Sequence, residues 1–450
     1  RFYLRQINVF AFRSLKEQSP PENNESNDCN IMSSKHYDIV IIGGSVAARI
    51  AAALLAKQGK RVLFLRNHEA KAPAWFHSSL FLEKLLGVLG GRACFVAQQP
   101  IQVISEKARI TLSSDVQLED ELSREFGNDG KVVNQWLEEL RLQGIKLEEF
   151  FWQSGGLPWP SLKAKGHVKL LSLKRRINWQ ELEAPVSQSI ERFSGAAKYF
   201  LTDLLQGLSS TRVTQLSYSR AAMLWAQALR PENLKEPDFS EVLNKRFEQF
   251  HGAKGQIDDL KSLDYDGSKW TGGQFKSGGF FTADSFLLGD KQWIDKFAPL
   301  ESSRLPLPEP PTVYRTSNLA GQLSPLLASH IICGGELPMR MAIEQHDEEL
   351  RGLIVSDARS SESLVRLQME AILPFAKYRF SEDSLPLEAE PNDKADCGVK
   401  SLARLPIRID KNLYCADHSV LLPEMGAAGA ALLGWTLAEN LDKENDKAKA

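Results

Sequence analysis

Four consecutive apolar positions, Ile39 to Ile42, open onto Gly43-Gly44-Ser45, and a second apolar run, Val62 to Leu65, follows further on. Uniformly apolar, β-branched runs mark parallel strands buried on both faces, whereas strict alternation would mark a strand with one face in water. Between the runs, Ala stands at 47, 48, 51, 52, 53 and 56 in a segment, Val46 to Lys57, whose small side chains predict a helix lying close to a sheet. Gln58-Gly59-Lys60 ends that helix. The expected unit is strand, tight turn, helix, strand: one right-handed βαβ half.

Beyond Arg66 the pattern loosens. A loop containing Pro73 precedes a predicted helix from Ser79 to Leu89, and short strands are expected at Ile101 to Ile104 and Arg109 to Leu112. Helical spacing returns over Leu118 to Phe126 and Val132 to Leu142. Residues 185 to 230 are mainly helical, with Ile190, Phe193, Ala197, Phe200 and Leu204 on one face. That face is expected to pack against the body rather than against lipid, because amphipathic helices are the rule in globular proteins. From Leu260 to Leu288, strand-like segments with glycine turns suggest an antiparallel ribbon leading to a buried strand at Phe286 to Leu288. Ile331 to Gly335 and Gly352 to Val355 suggest a hairpin, Ser361 to Ile372 a helix, and Leu305 to Pro311 a proline-rich crossing between domains. Ser381 to Lys394 reads as a surface loop and Leu441 to Ala450 as a charged, solvated tail. Residues 1 to 35 read as a disordered or non-native leader.

Composition narrows the classes of function. The chain has 450 residues, 43% of them hydrophobic, enough for a sizeable core divided between two joined domains. Lys and Arg total 55 against 57 Asp and Glu, a formal charge of -2, so no nucleic-acid partner is expected. Cys29, Cys94, Cys333, Cys397 and Cys415 form no metal-ligand spacing, and an odd count does not suit a disulfide framework, so a cytoplasmic location is expected. No run reaches the ~18 uninterrupted apolar residues of a spanning helix.

The candidate chemistry lies at the two ends. Gly43, Ser45 and Ala48 occupy the positions of a three-glycine dinucleotide fingerprint, and Arg66 stands where an acidic residue is due at the end of the second strand. Near the C-terminus, the strand-like Asn412 to Ala416 ends in Asp417-His418, and Met425-Gly426-Ala427-Ala428-Gly429-Ala430 opens an apolar helix.

These two blocks, in this order and at this separation, resemble the FAD-dependent amine oxidases and the carotenoid (phytoene) desaturase-like flavoproteins. The resemblance covers most of residues 36 to 440. It implies an α/β fold with a Rossmann-like FAD-binding domain built on a parallel sheet, made of residues 36-100, 250-295 and 400-440. An interleaved α+β substrate or cap domain would comprise 101-249 and 296-399, with 441-450 as a charged tail. It implies that Gly43 makes the tight turn and that backbone at Gly44, Ser45, Val46 and Ala47 meets the pyrophosphate at a helix N-terminus. It further implies that Asp417 accepts hydrogen bonds from the ribityl chain and that Gly426 and Ala427 approach the flavin. Arg66, the candidate cofactor-binding residue at the ribose position, departs from the pattern, since a guanidinium offers donors and no acceptor to ribose hydroxyls and would suit the ribose phosphate of a different ligand. Asn67-His68-Glu69-Ala70 replaces the Gly-Gly-Arg turn of these families, and Ala416 the glycine before the aspartate.

The function implied is hydride transfer from an apolar or amine small molecule to FAD. The alternative is a non-catalytic relative of the same fold that serves as a scaffold or subunit, without flavin or with another nucleotide. His418, beside Asp417, is a candidate acid or base and equally a structural residue. Trp75, Phe76 and His77 are expected in packing rather than in a substrate tunnel. No G-x-S-x-G elbow, P-loop or metal signature is present, and Glu119, Glu121, Glu138 and Glu139 suit a solvated helix face. A peripheral membrane contact and a protein partner remain open from the sequence.

Overall fold

The computed structural model describes residues 35–66, 78–90, 95–97, 99–105, 108–112, 118–157, 162–234, 236–299, 312–317, 327–337, 339–346, 349–356, 361–372, 379–380, 407–417, 421–422 and 425–449. The first strand, β1 (Lys35–Ile42), leads through the glycine turn into α1 (Val46–Lys57) and β2 (Val62–Arg66). Gly59, at a φ of +81°, reverses the chain after α1, as the Gln-Gly-Lys stop predicts. Then come α2 (Leu80–Leu89), β3 (Phe95–Ala97), β4 (Ile101–Ile104) and β5 (Arg109–Leu112). The helical middle follows: α3 (Leu118–Phe126), α4 (Asp129–Gln153), α5 (Leu162–Arg175), α6 (Trp179–Glu183), α7 (Val186–Ile190), α8 (Gly195–Ser209) and α9 (Tyr218–Ala228). After β6 (Glu232–Leu234) and α10 (Glu236–Gln249), the chain returns to strands β7 (Ala253–Gln256), β8 (Leu260–Tyr265), β9 (Trp270–Phe275) and β10 (Phe280–Leu288), then α11 (Lys291–Phe297). The last part carries β11 (Thr312–Ser317), β12 (His330–Cys333), β13 (Met339–His346), β14 (Glu349–Ser356), the helix Glu362–Ile372, β15 (Arg379–Phe380), β16 (Arg408–Asp410), β17 (Leu413–Cys415) and the C-terminal helix Ala427–Lys449.

The principal sheet runs β16-β17-β10-β1-β2-β7, with β8 and β9 attached as an antiparallel ribbon to β10. From β17 to β7 the pairings are parallel. Ile39 to Ile42 lie in register with Val62 to Leu65 on one side and with Ser285 to Leu288 on the other, which explains their uniformly apolar character. The two apolar runs of the sequence are therefore adjacent inner strands of the sheet. Against it lie α1 and the C-terminal helix, packed so closely that a Cβ at Gly434 would come within 2.7 Å of the Ala47 carbonyl.

A second sheet, β15-β11-β14-β13-β12-β4-β5, lies between two helical layers. On one side is α8, where a Cβ at Gly207 would overlap Ile332. On the other, Val365 and Met369 of the helix Glu362–Ile372 join Ile331, Cys333, Met339, Met341 and Ile354 in a separate apolar cluster. In the helical middle, α4 crosses α9 at Gly144, where a Cβ would overlap the Ala222 carbonyl.

Two local expectations change, and a third gains detail. The hairpin expected between Ile331 to Gly335 and Gly352 to Val355 does not form, because β13 lies between β12 and β14 and pairs with both. The helix expected at Val132 to Leu142 runs from Asp129 to Gln153, since the apolar spacing continues through Leu147, Phe150 and Phe151, all buried. The charged tail expected from Leu441 is helical as far as Lys449, continuing the C-terminal helix. The apolar face from Ile190 to Leu204 is buried, in keeping with packing against the body. The proline-rich stretch Leu305 to Pro311, the loop Ser381 to Lys394 and the leader up to Ser34 lie outside the described residues.

Candidate functional site

At the end of β1 the chain must turn sharply to start α1. Gly43 does so with a φ of +111°, and its N–H donates to the Leu65 carbonyl at 3.0 Å. Ser45 is the N-cap of α1, its Oγ accepting from the Ala48 N–H at 3.2 Å. The same hydroxyl donates to the Ala416 carbonyl at 2.7 Å. Residues 371 apart in sequence are thereby joined at the mouth of the central sheet. Two backbone bonds complete the seam: Gly289 N–H to the Ile42 carbonyl at 2.6 Å and Ala416 N–H to the Leu288 carbonyl at 2.8 Å.

Asp417 follows directly and is buried. Gly426 takes a φ of +53° just before the C-terminal helix begins at Ala427. The structure thus brings Gly43, Gly44, Ser45, Val46 and Ala47 to the same end of the sheet as Asp417. In open α/β sheets this end of the strands is where ligands sit. A Cβ at Gly44 or at Gly426 would meet nothing within 4 Å, so there is open space at both backbone positions.

Asp290 is the residue the sequence reading missed. It is the N-cap of α11, a place where a carboxylate ordinarily caps its own helix, yet its Oδ2 accepts from the Gly44 N–H at 2.8 Å instead. A Cβ at Gly43 would lie 2.5 Å from the same oxygen. Its position carries a signal in retrospect: Gly289-Asp290 ends the buried strand Phe286 to Leu288, and the neighbour of β1 necessarily delivers its last residues to the β1 turn. Burial pushes the Cys415 thiol far up, and the charges of Asp417 and Asp290 push it further.

Arg66 lies at the last position of β2, opposite Gln256, with its guanidinium over the Phe64 ring at 5.5 Å from the centroid. Its location is the one expected for the ribose-binding acid and its chemistry is the reverse. His418, Trp75, Phe76, His77 and Asn67 to Ala70 lie outside the described residues.

The residues fit one part of FAD better than another. Open space at Gly44 and Gly426, the N-terminus of α1 and the Asp417 carboxylate suit a pyrophosphate and a ribityl chain. Against the pyrophosphate, the Asp290 carboxylate brings negative charge to the Gly44 turn, and at the adenosine side Arg66 offers no acceptor.

Two further polar clusters lie in the fold. Glu148 of α4 is fully buried and pairs with Arg230 at 2.7 Å, while accepting from Gln227 Nε2 at 3.1 Å and from the Leu80 N–H at 3.3 Å. Arg230 also pairs with Glu83. Burial pushes the Glu148 carboxyl up, and Arg230 opposes that shift. On α8, Asp203 accepts from the Gly335 N–H at 3.2 Å, and burial pushes its carboxyl up to about 6 against that bond. By contrast, Glu121 and Glu138 pair with Arg124 and Arg141 on the surface, as a solvated face implies. Among the described residues, His36, Asp38 and Asp284 are grouped closely enough to share a cation. Asp38 is committed there to the Arg61 N–H at 2.7 Å.

No protein-family model matches the chain, and no curated protein sequence does. Solved structures match its fold. A putrescine oxidase bound to putrescine aligns over 91% of this chain and 100% of its own, at 11% identity and a TM-score of 0.56. Cyclohexylamine oxidase from Brevibacterium oxydans aligns over 91% and 99%, at 11% identity and 0.54. An oxidoreductase from Methanosarcina mazei aligns over 89% and 99%, at 12% identity and 0.54. The chain therefore has the α/β fold of the amine oxidases, as the two end blocks imply.

Proposed function

We propose that this chain is an FAD-dependent oxidoreductase of the dehydrogenase, desaturase or oxidase type, acting on an apolar or amine small molecule. The observation that carries it is the hydrogen bond from Ser45 Oγ to the Ala416 carbonyl, which unites the N-terminal turn and the Asp417 block at one end of a parallel sheet. In this role the turn Gly43 to Ala47 and the first N–H groups of α1 bind the diphosphate charge. Asp417, buried and acceptor-only when ionised, orients the ribityl hydroxyls. Gly426 and Ala427 let backbone come close to the ring system, and buried Leu421 and Leu422 nearby keep water out. His418 is the candidate for holding or moving a proton beside Asp417. Bound FAD supplies the redox chemistry, while the protein orients and encloses it.

Absorbance of the purified protein tests this. Flavin bands near ~450 nm and FAD released on denaturation are expected, since the bound cofactor carries the reactivity. Colourless protein that takes up no added FAD would overturn it. Asp417→Ala that binds flavin as well as the parent would remove the C-terminal block from the site.

One observation favours the alternative of a non-catalytic scaffold: the Asp290 carboxylate already satisfies the Gly44 N–H. On that alternative, neither removal of the carboxylate nor added FAD yields a bound flavin.

A further inference from the structure

The strongest unassigned surface is helix α5. Its inner side is made by Val168 and Ser172, both buried, with Leu171 and Arg175 half-buried. Ser172 Oγ accepts from Trp179 Nε1 at 3.2 Å, and Arg175 Nη2 donates to Gln153 Oε1 at 2.9 Å, which fixes that side against the body. With 100° between successive residues, the outermost line of the helix carries Gly166, Leu170 and Leu173. Leu170 is 68% exposed and Leu173 70%. Lys165 and Lys169 flank this line on one side and Lys174 on the other, all exposed.

The polarity of a surface helix is thus reversed at its crown. A solvated helix puts charge outermost and leucine inward, whereas here two leucines point straight out between lysines. From Leu162 to Asn178 there are 6 Lys or Arg and no acidic residue, in a chain whose net charge is -2. That charge asymmetry selects an anionic partner, and the outward leucines select one with an apolar layer beneath its charge. An anionic lipid surface has both. Lysine stems reach past inserted leucines to lipid phosphates, and each added cation strengthens the attraction. Among the described residues no helix is long and apolar enough to cross a membrane, so the contact is peripheral.

We propose that α5 docks the protein on an anionic bilayer, with Leu170 and Leu173 entering the headgroup region and Lys165, Lys169 and Lys174 on its phosphates. Cosedimentation of the full chain with vesicles of phosphatidylcholine containing phosphatidylglycerol tests it. Binding is expected at low ionic strength and not with phosphatidylcholine alone. Lys169→Ala with Lys174→Ala is expected to weaken it by roughly 30-fold, at about one lysine's worth of attraction each. Leu170→Ser with Leu173→Ser is expected to abolish it while the unfolding temperature stays at the parent value. Binding equal in parent and both variants, or none to anionic vesicles, overturns the proposal. Binding to soluble polyglutamate without binding to vesicles also overturns it, assigning the face to an acidic protein.

Discussion

The carboxylate of Asp290 accepts a hydrogen bond from the amide of Gly44 at 2.8 Å, so an internal anion sits in the turn where the resemblance places a phosphate. Any dinucleotide has to contend with that charge. Asp290→Asn keeps an acceptor for the amide while removing the charge, and Asp290→Ala removes both. Flavin affinity, measured by quenching of FAD fluorescence on titration with apoprotein, is expected to rise in both variants. In Asp290→Ala, which also frees the Gly44 amide, a rise of about tenfold or more follows from a charged hydrogen bond worth ~1.5–3 kcal/mol. Unchanged affinity would show that the carboxylate lies outside the cofactor path.

Ser45→Ala deletes two bonds at once, the cap on Ala48 N–H and the tie to Ala416. A loss of about 1–2 kcal/mol of stability is expected, since a cap alone contributes ~1 kcal/mol. Urea denaturation measures it. Ser45→Gly restores the fingerprint glycine at a smaller capping cost and is expected to bind flavin at least as well as the parent.

In the helical middle, Arg230→Ala leaves the Glu148 carboxylate buried beside Gln227 without its cation. Removing one member of a buried pair costs about 3–5 kcal/mol. Glu148→Gln in the same background neutralises the stranded charge, and recovery of part of the loss in denaturant melts is expected. Additive losses in the double variant would rule out direct coupling.

Asp203 gives a pH dependence. Its carboxyl is pushed from 3.8 up to about 6 in the folded protein, so folding favours the protonated form. That contribution is fully present below pH 3.8 and is lost as pH rises through about 6. Asp203→Asn is therefore expected to be more stable than the parent by ~2–3 kcal/mol at neutral pH and equal to it near pH 4. His330, pushed down to about 4 by burial and Arg340, acts in the opposite sense, because its neutral form is favoured and stability falls as pH drops below 6.5. Thermal melts across this range should show the parent's acid loss deepen in Asp203→Asn.

Much of the principal sheet was legible because two of its inner strands are apolar on both faces, a pattern that Ile39 to Ile42 and Val62 to Leu65 display without interruption. The turn at Gly43 was legible from the glycine that follows the first apolar run, whereas the cap at Ser45 came from the structure. What escaped was set by neighbours rather than by local sequence. Asp290 looks like an ordinary helix cap until β10 is placed beside β1. β13 carries Arg340, Glu344 and Gln345 among its apolar residues, so its alternation is weak, and its place between β12 and β14 follows from pairing alone. The C-terminal helix outran its apolar stretch because a helix held by its first turns against α1 continues into charged sequence with no proline or glycine to stop it.

The bond from Ser45 to Ala416 also sets a timetable. β1 is made long before its neighbour β10, and longer still before β17, which pairs with β10 and leads to the hydroxyl's acceptor. The helices from α3 to α9 close over short stretches of sequence and have no such wait. During synthesis the apolar run Ile39 to Ile42 therefore waits for the strand that covers one of its edges, and it is at this stage, rather than in the finished molecule, that the chain is most exposed to aggregation.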